Sequence, residues 1–323
     1  MAAKNMKYIT LNTGAKMPIL AFGTLMDSFV SNHDETVKVV STALDVGYRH
    51  FDCALIYGTE PAVGEAIKQK MADGTVKTRE ELFLTSKLWR TFAREKDVVP
   101  ALKKSLKNLG VEYVDLYLIH WPTQYKSGEE LIPKDENGKE IYSDIDYLET
   151  WRGMEEAYRL GLAKAVGVSN FNSKQLKRLM DNCKVMPAHN QVESHPFFTN
   201  TKLIKFCQNL SVTMCAYSPL AGLPDEFRLV QREWKSIYTD ETMKKVAAKY
   251  NKSPAQIALR FQIQRDVCVN PKSAKRERME QNMEALNFQL SDEDMQAIEG
   301  LDDNMRINDQ HPDHPYYPFA EEF

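Results

Sequence analysis

No run of about 18 apolar residues occurs in the 323-residue chain, which excludes an ordinary membrane-spanning helix. The opening MAAKNMKYIT lacks the apolar core of a secretory signal. Cysteine is scarce. The five, at 53, 183, 207, 215 and 268, are odd in number and irregularly spaced, which fits neither a disulfide framework nor a Cys-rich zinc site. A reducing, cytoplasmic setting is the simplest expectation. A formal net charge of −3 offers no basis for binding nucleic acid or a membrane surface. A G-x-G-x-x-G dinucleotide fingerprint is also missing after the first strand, where the chain reads AFGTLMDS around Gly23. Only His311-x₂-His314 hints at a metal; with proline after each histidine and no evident partners, the pair reads as a rigid surface tail and no metal is expected.

What is present is a regular alternation. Strand-like runs occur at 19–23, 49–53, 82–88, 114–120, 164–169, 188–192, 212–217 and 266–270, after a hairpin turning around Asn12 to Ala15. Several are apolar on both phases, as strands covered on both faces should be. Between them lie helical patterns. Val98, Leu102, Leu106 and Leu109 recur every three or four residues before Gly110, and Ser253-Pro254 places a capping serine ahead of a first-turn proline. Eight such alternations predict an α/β fold, a single (β/α)₈ TIM barrel over 1–323, rather than a doubly wound sheet. The segments 121–146, 218–238 and 305–323 lack a regular pattern. The first two follow the fourth and seventh strands and so become large loops at the C-terminal face, where barrels carry their sites.

Four chemically complementary residues fall on that face. Asp52, Lys87 and His120 lie at the ends of consecutive strands, and Tyr57 follows Asp52 by five residues. A tyrosine with an ordinary pKa of about 10 donates a proton poorly at neutral pH. A neighbouring Lys87 ammonium favours the phenolate and lowers that value, Asp52 holds the lysine charged, and His120 orients a substrate oxygen. No side chain supplies hydride, so such a site requires an organic cofactor. A cluster of Lys272, Ser273, Arg276 and Arg278, between the last strand and a helix start, suits an anion, although charge alone fits a solvated basic turn better.

Three segments carry a family resemblance: GYRHFDCALIYGTEPAVG at 47–64, KAVGVSNF at 164–171, and PKS-x₄-R-x₃-N from Pro271. Together with FLTSKLW and DLYLIHWP, they identify the chain as similar to the aldo-keto reductases over essentially its full length. The resemblance implies NADPH-dependent reduction of an aldehyde or ketone, with Asp52, Tyr57, Lys87 and His120 catalytic. It implies that Ser169, Asn170 and Gln191 hold the nicotinamide carboxamide, that Tyr217 stacks on the ring, and that Gly23, Thr24, Asp52, Ser218 and Leu220 line the cofactor. Lys272, Ser273 and Arg278 then cradle the 2′-phosphate, while Gln281 and Asn282 meet adenine.

Two features depart from the commonest family pattern. Asn270 stands where an aliphatic residue usually precedes Pro-Lys-Ser, and the 218–238 loop is rich in side chains that need not clamp a pyrophosphate. Leu25, Ile56, Trp89, His120, Trp121 and Trp234 match the family's substrate pocket, a lining suited to apolar or aromatic carbonyl compounds. A steroid or ecdysteroid ketone is the alternative substrate class. A non-enzymatic NADPH-binding regulatory protein is the competing function, disfavoured by the four intact catalytic matches. Histidine at 120 disfavours the family's steroid double-bond reductases, which carry glutamate there. A monomer with a small-molecule partner is expected.

Overall fold

The computed structural model describes residues 6–26, 32–222 and 235–320. Two short strands, β1 (Tyr8–Thr10) and β2 (Lys16–Pro18), form the expected antiparallel hairpin. The barrel strands come next, as β3 (Phe22–Gly23), β4 (His50–Asp52), β5 (Phe83–Leu88) and β6 (Leu116–Ile119). After a small ribbon, β7 (Gln124–Tyr125) with β8 (Tyr142–Ser143), the barrel continues through β9 (Val166–Ser169), β10 (His189–Glu193), β11 (Thr213–Tyr217) and β12 (Val267–Val269). Each barrel strand pairs in parallel with its neighbour, in chain order. A parallel bridge from Leu20 to Val269 closes the ring, with Ala21 N–H donating to the Val269 carbonyl at 2.8 Å. The fold is the (β/α)₈ barrel the alternation predicts.

Ten α-helices are formed among the described residues: α1 (His33–Val46), α2 (Glu60–Ala72), α3 (Glu95–Leu109), α4 (Tyr147–Arg159), α5 (Ser173–Met180), α6 (Thr201–Asn209), α7 (Glu241–Tyr250), α8 (Pro254–Gln264), α9 (Arg276–Met283) and α10 (Asp292–Glu299). Local chemistry sets their ends. Ser253 and Gln256 make a reciprocal capping box that starts α8, and Gly110 ends α3 in a left-handed conformation with φ 66°. The backbones of α2 and α3 approach so closely that a Cβ on Gly64 would lie 2.6 Å from the Leu109 carbonyl oxygen.

Two apolar layers hold the barrel. The outer one packs strands such as Tyr117, Val168 and Met214 against helical Val40, Leu102 and Trp151. An inner layer of Phe83, Leu116, Leu118, Ala165 and Ala188 is joined by Leu11 and Met17 from the hairpin segment, which fills the end of the barrel away from the strands' C-termini. No helix among the described residues is long and apolar enough to cross a membrane.

The segment 305–320 departs from expectation. It carries no helix or strand, as foreseen, but it is not a surface tail: His311 and His314 are 9% and 3% exposed. His311 packs edge-on against Trp121, Tyr125 and Tyr142, and Arg90 donates to its ring. Aromatic packing outweighs the polar composition. Segment 121–146 likewise contains the β7–β8 ribbon, whose two-residue strands are too short to leave a sequence period.

Candidate active site

The strands' C-terminal ends surround a cavity of about 290 Å³. Asp52 is the last residue of β4, Lys87 the penultimate residue of β5, and His120 directly follows β6. Tyr57 ends a 3-10 turn, Leu55–Tyr57, that folds back over this wall. Lys87 Nζ donates to Asp52 Oδ2 at 2.7 Å, to the Cys53 carbonyl at 3.0 Å and to Tyr57 OH at 3.3 Å. The lysine is fully buried behind the tyrosine, whereas Asp52, Tyr57 and His120 line the cavity. The His120 ring stands edge-on to Tyr57 at 5.7 Å and to Trp89 at 5.3 Å.

Burial disfavours charge on Lys87, but Asp52 and Tyr57 outweigh it and hold the ammonium above its ordinary value. The expected lowering of Tyr57 is not the net result. Burial pushes the phenol up, Lys87 opposes this, and the Asp52 charge reinforces it. The lysine therefore limits a rise caused by desolvation, and Tyr57 is a protonated acid at neutral pH. Burial, with Lys87 and Arg90 nearby, holds His120 well below the usual imidazole range, so its ring is neutral.

On the opposite wall, side-chain amides interlock. Gln191 Nε2 donates to Asp52 Oδ1 at 2.8 Å, and Ser169 Oγ donates to the Gln191 carbonyl at 2.8 Å. Asn170, held at φ 63°, donates to the His120 carbonyl and accepts from Tyr217 OH at 2.8 Å. Thr24 Oγ1 donates to the Asp52 carbonyl at 3.0 Å. Gly23, Leu25, Ile56, Trp89, Trp121, Ser218, Leu220 and Lys272 also line the cavity. Ser273, Arg278, Gln281 and Asn282 do not; they lie beyond it, around the start of α9 and along it, with Arg278 and Gln281 exposed and Ser273 and Asn282 buried. Arg276 pairs with Glu280 at 2.9 Å. Trp234 lies outside the described residues.

A model of the aldo/keto reductase family matches residues 20–303. The chain is 44% identical to dihydrodiol dehydrogenase 3 of Bos taurus, with 98% of each chain covered. Identity is also 44% to aldo-keto reductase family 1 member C3 of Homo sapiens, again over 98% of both. Among solved structures, the aldose reductase of Schistosoma japonicum superposes with a TM-score of 0.90 at 36% identity, covering 98% of this chain and 100% of that one. The chain belongs to the aldo/keto reductase family. It is thus an oxidoreductase that reduces carbonyl compounds with a nicotinamide cofactor, and the family is in general NADP(H)-dependent.

The residues of this aldo/keto reductase fit that cofactor. A Cβ on Gly23 would lie 2.9 Å from the Asn270 carbonyl oxygen and 3.7 Å from Lys272 Cβ, so glycine is what lets β3 and the 270–272 segment approach closely enough to bring Lys272 to the cavity wall. Beside it stand amide groups able to match a carboxamide, an aromatic ring at Tyr217 and the Lys272 cation. Sequence reasoning missed Asn308 and Gln310, which also line the cavity. Asn308 Nδ2 donates to Tyr217 OH at 3.3 Å, and its N–H donates to the buried Glu193 carboxylate at 2.8 Å. Nothing in the aperiodic 305–323 stretch signalled that contact.

Proposed function

We propose that this reductase converts apolar or aromatic aldehydes and ketones to alcohols, using NADPH in preference to NADH, with Tyr57 as proton donor. The carrying observation is that one buried ammonium, Lys87 Nζ, contacts both Asp52 Oδ2 and Tyr57 OH at the mouth of the cavity. Bound NADPH supplies hydride to the carbonyl carbon. Tyr57 gives its proton to the carbonyl oxygen, and Lys87 stabilises the phenolate left behind. Asp52 keeps the lysine charged and aimed. Neutral His120 offers a ring N–H to the same oxygen and fixes its approach. Ser169, Asn170 and Gln191 would hold the carboxamide, Tyr217 would offer its ring to the nicotinamide, and Gly23, Thr24, Ser218 and Leu220 would line the cofactor. Lys272, Ser273 and Arg278 receive the 2′-phosphate, with Gln281 and Asn282 at the adenine.

Leu25, Ile56, Trp89 and Trp121 support an apolar substrate body. Asn308 and Gln310 add a polar rim, which favours compounds carrying a second oxygen function, steroid ketones included. The continuous barrel, with hairpin and tail both packed on it, supports one domain, and a monomer is proposed with it. Five free cysteines, four of them buried, support a reducing, cytoplasmic setting. The test is NADPH oxidation with a panel of aromatic aldehydes, aliphatic aldehydes, cyclic ketones and aldoses. Turnover should favour the aromatic and cyclic members over aldoses. Tight NADPH binding without turnover of any member would refute the enzymatic reading.

A further inference from the structure

Asp52 carries a third donor that the arrangement of Lys87 and Gln191 does not require. Asn270 follows β12, is 8% exposed and lines the cavity, and its Nδ2 donates to Asp52 Oδ2 at 3.0 Å. That is the oxygen Lys87 holds at 2.7 Å. The amide orientation follows from the neighbour, because the reverse would set its oxygen against a carboxylate. Asn270 Oδ1 is buried without a partner. An unpaired buried acceptor is unfavourable, so what the amide gains at this strand end is the Asp52 contact.

We propose that Asn270 is a positioning residue for proton transfer, drawing on the Asp52 carboxylate so that more of the Lys87 charge acts on Tyr57. With two neutral amides and one ammonium on its oxygens, Asp52 neutralises the lysine less completely than it would with Lys87 and Gln191 alone. The inference rests on Tyr57 being the proton donor. Tyr57 is faced by Asp52 and Cys53 from the β4 end, Lys87 from β5, His120 after β6 and Tyr217 from β11. Of these, Asp52 is the group to which the Asn270 side chain hydrogen-bonds.

Replacing Asn270 by leucine removes the donor while keeping the branched shape, and Asn270→Ala serves if leucine proves too large. The measurement is kcat/KM for benzyl alcohol oxidation with NADP⁺ from pH 6 to 11, with NADPH affinity by fluorescence titration and thermal midpoint as a check on folding. Oxidation requires the phenolate, so its rising limb reports Tyr57 in the cofactor complex. Either variant should move that limb up by about 0.5–1 pH unit, with NADPH affinity within about two-fold. An unmoved limb, or a change in NADPH affinity alone, overturns the proposal. Tyr57→Phe distinguishes the failures. If it keeps turnover, the proton-donor reading itself has failed; if it loses turnover while Asn270→Leu leaves the limb in place, only the role of Asn270 has.

Discussion

The wall built by β4, β5 and β6 and the corner built by β12 and α9 handle charge in opposite ways. On the wall, Lys87 and Asp52 are buried, paired at 2.7 Å and surrounded by further donors before any ligand arrives. At the corner, Arg278 is exposed on a helix, Lys272 is half-buried, and Ser273 Oγ is occupied with the backbone of Lys275. Groups that must act on a reacting atom are fixed during folding, where low dielectric strengthens them. The two cations proposed to recognise a phosphate, Lys272 and Arg278, remain near water, where desolvation costs little. Damage to the wall should therefore appear in turnover, and damage to the corner in affinity.

The largest effect is expected from Lys87→Met, which keeps a linear side chain and removes the charge. Turnover should fall at least ~10²-fold, and the thermal midpoint should drop because Asp52 keeps only amide partners. Stopped-flow reduction of an aromatic aldehyde checks the first, calorimetry the second. Unchanged single-turnover rates would break the distinction between wall and corner.

The corner should respond differently. Lys272→Ala with Arg278→Ala should weaken NADPH binding about 10- to 100-fold, since the two solvent-screened phosphate contacts together contribute about 1.5–3 kcal/mol. NADH binding should hardly change, and single-turnover rates at saturating NADPH should stay near wild type. Fluorescence titration of both cofactors at fixed ionic strength reads this. An unchanged NADPH:NADH ratio would make the cluster an ordinary basic turn.

A smaller effect shows whether the rigid wall includes the segment laid over it. His314 Nδ1 accepts from the Tyr316 N–H at 3.0 Å, and its Nε2 lies 3.2 Å from the Gln124 carbonyl. Burial, assisted by Arg90, pulls the ring down to about 4. The folded value is depressed, so between roughly 6.5 and 4 the unfolded chain binds a proton that the folded chain does not. Stability from the neutral ring is complete above that window and lost as pH falls through it. Acidification from pH 7 to 5 should cost on the order of 1 kcal/mol through this residue. Thermal midpoints across that range should fall less steeply in His314→Gln; equal slopes would exclude the histidine.

The same division explains what was legible in the sequence. The eight strands and the Asp52, Lys87 and His120 positions could be read because alternation and strand ends are local properties. The sign at Tyr57 was not, since it depends on how deeply the turn at 55–57 is packed. Asn270 was visible only as an unusual residue; its contact spans 218 positions, and no periodicity records it. Asn308 and Gln310 reach the cavity, and His311 and His314 pack among aromatic rings beside it, through a segment without regular structure, so polar composition pointed outward while aromatic partners drew it in.

The central claim is that Tyr57 supplies the proton from a wall organised in advance. Tyr57→Phe removes one hydroxyl and keeps the ring that packs beside His120. Single-turnover reduction of a verified carbonyl substrate, measured alongside NADPH affinity on the same protein, tests this directly. The account predicts a rate at least ~10²-fold lower with cofactor affinity within about two-fold. A variant retaining more than half the wild-type rate would contradict it.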